Sequence, residues 1–367
     1  MFSDAVELDW LQISGSPYEI GYALGEKGKN AIHTHLIRSD LWSNIICKKH
    51  RSVLKCMADN TIKLFPNIYE ELKGLADGLE LPFEQVFAWN CRGDLLGNTS
   101  DGCTSVMVPA QTSFDRIIIA HNEDGLPFFD KKCFITQVNG LNGFFSFCYP
   151  GSIPGHTFAL TNSGIAMAAN NLRLINTKPK IPRMVLGRAL LNCKTLNEAR
   201  KLLKTAPISG GFHYSLAQRG DKRLISLEFG GGAYYETIVE TPSFHANHAI
   251  LGRRGHQRQI ITKSSLDRQS RGDFLIAKLF NDPIAILRDK AENELPIWRR
   301  EPDDPDDENT LASVVFEVTS SEISWTIYSG ASINRLYESQ TEKENKNSAI
   351  SSECQTITRT TRRNKTG

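Results

Sequence analysis

The spacing of apolar residues changes character about a hundred residues into the chain. Before that point it is helical. In "PYEIGYALGEKG", which begins at Pro17, the residues Tyr18, Gly21, Tyr22, Leu24 and Gly25 recur at roughly helical spacing, and Ser16-Pro17 offers an N-cap followed by proline. Glycine lowers helix propensity, so its recurrence there points to close packing. A segment over 54–65 ends at Pro66. "PNIYEELKGLADGLELP" then sets Ile68, Leu72 and Leu75 on one face, with Gly78 as its stop. "PFEQVFAWNCRGDLL" starts another helix at Pro82 and fades into a polar loop.

From Cys103 onward the pattern is that of strands. "CTSVMVPA", "RIIIAHNEDG", "CFITQVNG", "FFSFCYPG", "HTFALTNSG" and "IAMAANNLR" are short and rich in β-branched and aromatic residues, and Gly, Asn and Pro punctuate them. A helical stretch near 183–204 intervenes before "HYSLAQRG", "RLISLEFGGG" and "AYYETIVETP". This predicts a mainly antiparallel α+β body with inserted helices. "EFGGGAYYE" reads as a β-turn or bulge, and the acidic "PDDPDDE" over 302–308 as a solvated loop. "TLASVVFEVTSSEISWTIYSG" predicts a further hairpin. Residues 338–367 lack the apolar content needed for a core and read as a disordered polar tail. The expected organisation is therefore a helical leader over 1–102, a body over 103–337 and that tail.

Composition narrows the class. The 367 residues are 40% hydrophobic and 23% charged, with a net charge of +2, as expected of a soluble globular protein with no electrostatic bias toward nucleic acid or an anionic membrane. "MFSDAVELDW" lacks the basic and apolar regions of an export signal, and no apolar run is long enough to span a bilayer. The eight cysteines contain no C-x-x-C pair, which argues against a zinc knuckle or a disulfide framework and for a cytoplasmic protein with reduced thiols.

Cys103 opens the first strand, directly after Gly102. If the peptide bond between them were cut, Cys103 would carry a free α-amine beside its thiol. The two groups titrate within about one unit of each other, near ~8 and ~8.5, so a single residue can supply both nucleophile and base. Glycine before the cysteine lowers the steric barrier to attack on its carbonyl.

"DGCTS" opening a strand, with "HNEDG" on the next and "GSPYEIGYALGEKG" in the leader, resembles the acyl-coenzyme A:6-aminopenicillanic acid acyltransferase family. These are self-processing N-terminal nucleophile (Ntn) acyltransferases and amidohydrolases. The resemblance extends from about Pro17 to about Gly330 and implies a four-layer αββα fold. It also implies cleavage between Gly102 and Cys103, with the two fragments remaining associated. Cys103 matches the nucleophile, and Asp124 the carboxylate beside its amine. Asn171, in preference to Asn170, matches a site asparagine on "GIAMAANNLR", and Asn247 in "FHANHAI" matches the donor to the oxyanion. "DRQSRGDFL" resembles a Ser-Arg helix start, which makes Ser270 and Arg271 candidate substrate contacts, with Arg268 as the alternative on the same helical face. His121 stands where the family often has arginine. No metal or organic cofactor is implied, and the expected substrate is a small acyl amide or acyl thioester. An uncut cysteine peptidase of another fold and a non-catalytic binder of small acyl compounds are the competing expectations.

Overall fold

The computed structural model describes residues 8–97, 99, 102–111, 115–252, 258–290, 294–300 and 304–339. The leader contributes β1 (Asp9–Ile13), α1 (Pro17–Thr34), α2 (Asp40–Ile45), α3 (Arg51–Leu64), α4 (Pro66–Leu79), α5 (Phe83–Asn90) and α6 (Arg92–Leu95). The body begins with β2 (Cys103–Val108), β3 (Ile117–Gly125), β4 (Phe134–Val138), β5 (Phe144–Cys148), β6 (Ala159–Thr161) and β7 (Ile165–Leu172). It continues through α7 (Arg183–Leu190), α8 (Leu196–Thr205), β8 (Gly211–Gln218), β9 (Ile225–Gly230), β10 (Ala233–Ile238) and β11 (Ser243–His245). The last elements are α9 (Lys263–Leu279), α10 (Pro283–Leu287), β12 (Asn309–Val318), β13 (Ile323–Ser329) and β14 (Arg335–Glu338). The tail expected from residue 338 lies, after Ser339, outside the described residues.

Two sheets form the centre. One runs β1-β4-β5-β6-β7-β8-β9-β10 and the other β11-β2-β3-β12-β13-β14. They stack face to face, β2 and β3 against β7 and β8, while α9 and α10 cover the outer face of the six-stranded sheet. On the other side α7 packs on α4, α8 on β8, and α1 and α4 on each other. The order of layers is helix, sheet, sheet, helix, the four-layer α+β arrangement expected from the sequence. Aromatic residues such as Phe134, Phe145, Phe147, Phe158 and Phe316 fill the space between.

Local chemistry explains the element boundaries. Ser16 accepts from the Glu19 amide while the Glu19 carboxylate returns to the Ser16 amide, a full capping box ahead of Pro17. The glycines of the leader are contact points. A methyl group on Gly21 would lie 1.8 Å from the Glu71 carbonyl oxygen, and one on Gly74 1.9 Å from that of Tyr18, so α1 and α4 touch backbone to backbone. Gly78 belongs to the same seam and does not stop its helix as expected. The helix runs through it to Leu79, and Glu80 makes the left-handed turn at φ 54°. The leader is also not wholly helical, since β1 pairs in parallel with β4, Asp9 opposite Phe134. The expected hairpin over 310–330 is β12–β13, and the glycine run 230–232 forms the turn between β9 and β10.

Candidate active site

Strand pleating divides the site in two. Cys103 lies opposite Glu123 and Ser105 opposite His121 in the β2–β3 pairing. These four share the face turned toward the eight-stranded sheet, where the Ser105 hydroxyl reaches Asn170 of β7. Thr104, Asn122 and Asp124 face the helices. Asn122 Nδ2 donates to the Leu287 carbonyl, and Arg268 of α9 to Thr104.

On the inner face the buried Cys103 Sγ lies 3.7 Å from Glu123 Oε2. Burial, followed by the negative charge of Glu123, pushes the thiol pKa well above its usual value, so the resting sulfur is protonated. Glu123 is fixed by Tyr149, whose hydroxyl donates to Oε1 at 2.8 Å. His121 Nε2 lies 3.1 Å from Glu123 Oε2, and its Nδ1 lies 2.9 Å from Ser105 Oγ. The neighbours fix the histidine tautomer. Asn170 Nδ2 donates to the His245 carbonyl, so Asn170 Oδ1 accepts the one Ser105 proton at 2.6 Å. Ser105 Oγ must then accept from His121 Nδ1–H, which leaves a lone pair on Nε2 aimed at the Glu123 carboxylate. Burial pushes the His121 pKa down to about 3. The protonated thiol thus lies within reach of the Glu123 carboxylate.

On the outer face the Gly102–Cys103 peptide is held at both ends. The Asp124 amide donates to the Gly102 carbonyl at 3.0 Å, and the Cys103 amide donates to Asn247 Oδ1 at 3.0 Å. Arg268 donates to the Cys103 carbonyl at 2.8 Å and to Asn247 Oδ1 at 2.7 Å. Those obligate donors fix the Asn247 amide, whose Nδ2 donates to the Asn171 carbonyl at 3.2 Å. Gly102 has no room for a side chain, because a Cβ would sit 1.9 Å from Glu308 Oε2 and 2.7 Å from Arg299 Nη1. Glu308 is buried between Arg299 and Arg173, and Asp304 also pairs with Arg299. This part of the acidic segment is structural, contrary to the solvated loop expected there, because buried guanidinium groups draw the carboxylates inward.

The remaining sequence candidates divide. The Asn171 backbone lies beside Cys103, where it lowers the thiol pKa against the effect of burial, while its side-chain oxygen accepts from Arg183. Asn170 belongs to the Ser105–His213 network. The Asp124 carboxylate faces away from the thiol; Oδ1 accepts from Thr310 at 2.7 Å, and buried Oδ2 has no hydrogen-bond partner among the described residues. The structure sets Arg271 and Ser270 apart from Cys103. Arg271 pairs with Asp289, Ser270 is exposed, and the α9 face that meets Cys103 carries Ser264, Ser265 and Arg268. Cys103 also lines a small cavity with Arg92, His156 and Arg183, with room for about one water molecule. Cys103, His121 and Glu123 each offer one ligand atom within 4.8 Å of the other two, a donor set able to hold a metal ion.

Residues 111–333 match the family model described as acyl-coenzyme A:6-aminopenicillanic acid acyl-transferase, well over half of the chain. The chain belongs to that family. The match begins just after Cys103 and spans His121, Glu123, Asp124, Asn171, Asn247 and Arg268. The β-alanyl-dopamine/carcinine hydrolase of Drosophila melanogaster is 21% identical over 355 residues, which cover 86% of this chain and 91% of the relative. Among solved structures, a penicillin V acylase from Agrobacterium tumefaciens aligns at 14% identity and a TM-score of 0.42, covering 66% of this chain and 87% of its own. A variant of conjugated bile acid hydrolase from Clostridium perfringens aligns at 12% and 0.37, covering 66% and 94%.

For this member of the acyl-transferase family, sequence reasoning missed Glu123, Arg183, Arg299 and Glu308. The "ED" pair in "HNEDG" held the only signal for Glu123: adjacent strand residues face opposite ways, so one of the two had to share the face of Cys103. Nothing local marks the three others, which reach the site from distant parts of the chain.

Proposed function

We propose that this protein is a self-processing amide hydrolase or acyltransferase whose nucleophile is Cys103. The observation that carries the reading is the doubly held Gly102–Cys103 peptide, with a protonated thiol on one side and the Glu123–His121 pair beside it. In the intact chain the Cys103 nitrogen is an amide and cannot act as a base. The thiol proton passes to the Glu123–His121 pair, and Sγ attacks the Gly102 carbonyl carbon. The oxygen is stabilised by the Asp124 amide, the C–N bond breaks as the nitrogen takes up a proton, and a thioester joins Gly102 to the sulfur. Water hydrolyses that thioester, leaving a Gly102 carboxylate and an N-terminal Cys103. The orphan Asp124 Oδ2 then supplies a carboxylate for the new ammonium.

In turnover the free amine deprotonates the thiol. The thiolate attacks a small amide or thioester, and the acyl-enzyme passes its acyl group to water or to an amine. The Drosophila relative makes β-alanyl amines the first substrates to test, followed by N-acyl amino acids and penicillin-type amides.

The test is to incubate purified protein with each amide and record the mass of the fragment that bears Cys103. A transient acyl adduct should form on wild type and be absent from Cys103→Ala. Amide turnover by Cys103→Ala at the wild-type rate would refute the assignment. The 3.7 Å contact between thiol and Glu123 also supports a second reading, in which the pair activates Cys103 in an uncut chain. That reading predicts the same adduct on the full-length mass.

A further inference from the structure

We propose that Cys103, His121 and Glu123 form a site for a thiophilic divalent metal ion, Zn²⁺ by preference, that masks the nucleophile reversibly.

The geometry is close to that of tetrahedral zinc. With Zn–S near 2.3 Å and Zn–N or Zn–O near 2.1 Å, the sulfur–oxygen edge of a tetrahedron is about 3.6 Å and the nitrogen–oxygen edge about 3.4 Å. The corresponding separations here are 3.7 and 3.1 Å. The third atom pair lies within the 4.8 Å that spans the group, so small side-chain rotations close the coordination.

The hydrogen bonds around the trio also suit a metal. A ligating histidine needs its free nitrogen lone pair directed at the ion and its other ring nitrogen held. His121 meets both conditions, since Nδ1–H is committed to Ser105, itself held by Asn170, and Nε2 carries the lone pair. Tyr149 holds the second carboxylate oxygen of Glu123. The Nε2 and Oε2 lone pairs face each other across 3.1 Å and require something positive between them, either a proton or a cation. The adjoining cavity has room for one water to complete the coordination. In a cut chain the Cys103 α-amine offers a further donor that chelates together with the sulfur.

Electrostatics select the ion. Arg92 and Arg183 line the same cavity and repel a cation, so binding requires the full negative charge of both thiolate and carboxylate. Binding therefore expels the Cys103 thiol proton to solvent as the sulfur–metal bond forms. Zn²⁺, Co²⁺ and Cd²⁺ meet that demand; hard Mg²⁺ and Ca²⁺, which prefer oxygen ligands, do not. The binding claim stands on these three side chains alone, whereas the masking claim rests on Cys103 being the nucleophile.

The test is titration of metal-free, full-length protein with Co²⁺, followed by displacement with Zn²⁺. Wild type should bind one Co²⁺ with a thiolate-to-cobalt charge-transfer absorption and the intense visible bands of a four-coordinate site. Equimolar Zn²⁺ should discharge both. Cys103→Ser should lose the charge-transfer band although exposed Cys47 and Cys56 remain. His121→Gln and Glu123→Gln should each weaken binding at least ~10-fold in variants whose near-ultraviolet dichroism matches wild type. Absence of the band in wild type overturns the proposal whether or not the variants fold. So does its persistence in Cys103→Ser, or unchanged affinity in both other variants. Amide hydrolysis and the 102–103 cut are followed in the same preparations. Activity without cobalt binding sinks the metal site alone, and cobalt binding in a protein with no thiol-dependent activity sinks the hydrolase reading alone.

Discussion

Two residues between two arginines on α9 separate a buried anchor from a partly exposed ion pair. Arg268 bonds the Cys103 carbonyl, Thr104, Ser264 and Asn247, and has no solvent exposure. Arg268→Ala removes the clamp on the Gly102–Cys103 peptide and takes one donor from Asn247 Oδ1. We expect a loss of ~3–5 kcal/mol, read by urea unfolding, together with impaired cleavage at Gly102. Arg271→Ala breaks the pair with Asp289 and the contact with the Phe274 ring, away from Cys103, and should cost ~1 kcal/mol or less, with cleavage unchanged. Equal effects in the two variants would mean that the wrong face of α9 has been assigned to the site. Gly102→Ala forces a methyl group into Glu308, so cleavage should slow by at least ~10-fold on a denaturing gel, the misplaced carbonyl being a poor target for attack. Part of this arrangement was legible in the sequence: Gly102, Cys103, Asn171 and Asn247 lie together in the structure. What was not legible depends on register and helix facing. The pairing of Cys103 with Glu123, and the facing of Arg268 rather than Arg271, are set by tertiary contacts that no single segment encodes.

At the scale of elements, the seam between α1 and α4 carries the leader. Its glycines were recognisable as packing residues because nothing else explains such a loss of helix propensity in "PYEIGYALGEKG". The same reasoning failed at Gly78, where a stop signal and a contact glycine look alike in sequence. It failed again at Glu308, because an acidic, proline-broken run looks solvated unless its buried arginine partners are known. Gly21→Ala or Gly74→Ala drives a methyl group into the backbone of the opposing helix. Each should cost at least ~1–3 kcal/mol and lower the melting temperature measurably by calorimetry. Unchanged melting would show that the helices do not meet at this distance.

At the scale of the molecule, the leader is knitted into the body by β1 in the eight-stranded sheet and by the shared core of α1, α4 and α5. Severed at Gly102, the two pieces should co-elute in size-exclusion chromatography and separate only in denaturant. Between the sheets, His213 stacks on His245 with ring centroids 3.6 Å apart. Burial first, and then the neighbouring His245, hold the His213 pKa well below 6.5. A histidine depressed in the folded state contributes stability that is complete above its unfolded value near ~6.5 and is lost as pH falls below it. Unfolding free energy should therefore decline from pH 7 to 5, and His213→Gln should flatten that decline. A slope unchanged in the variant would place the acid sensitivity elsewhere.

The central claim is that scission before Cys103 creates the working nucleophile. The most direct measurement is the intact mass of freshly purified, catalytically competent protein. The account predicts two species, one ending at Gly102 and one beginning at Cys103, and a single uncut mass for Cys103→Ala. Full amide-hydrolase activity in material whose residues 102 and 103 remain joined would contradict it.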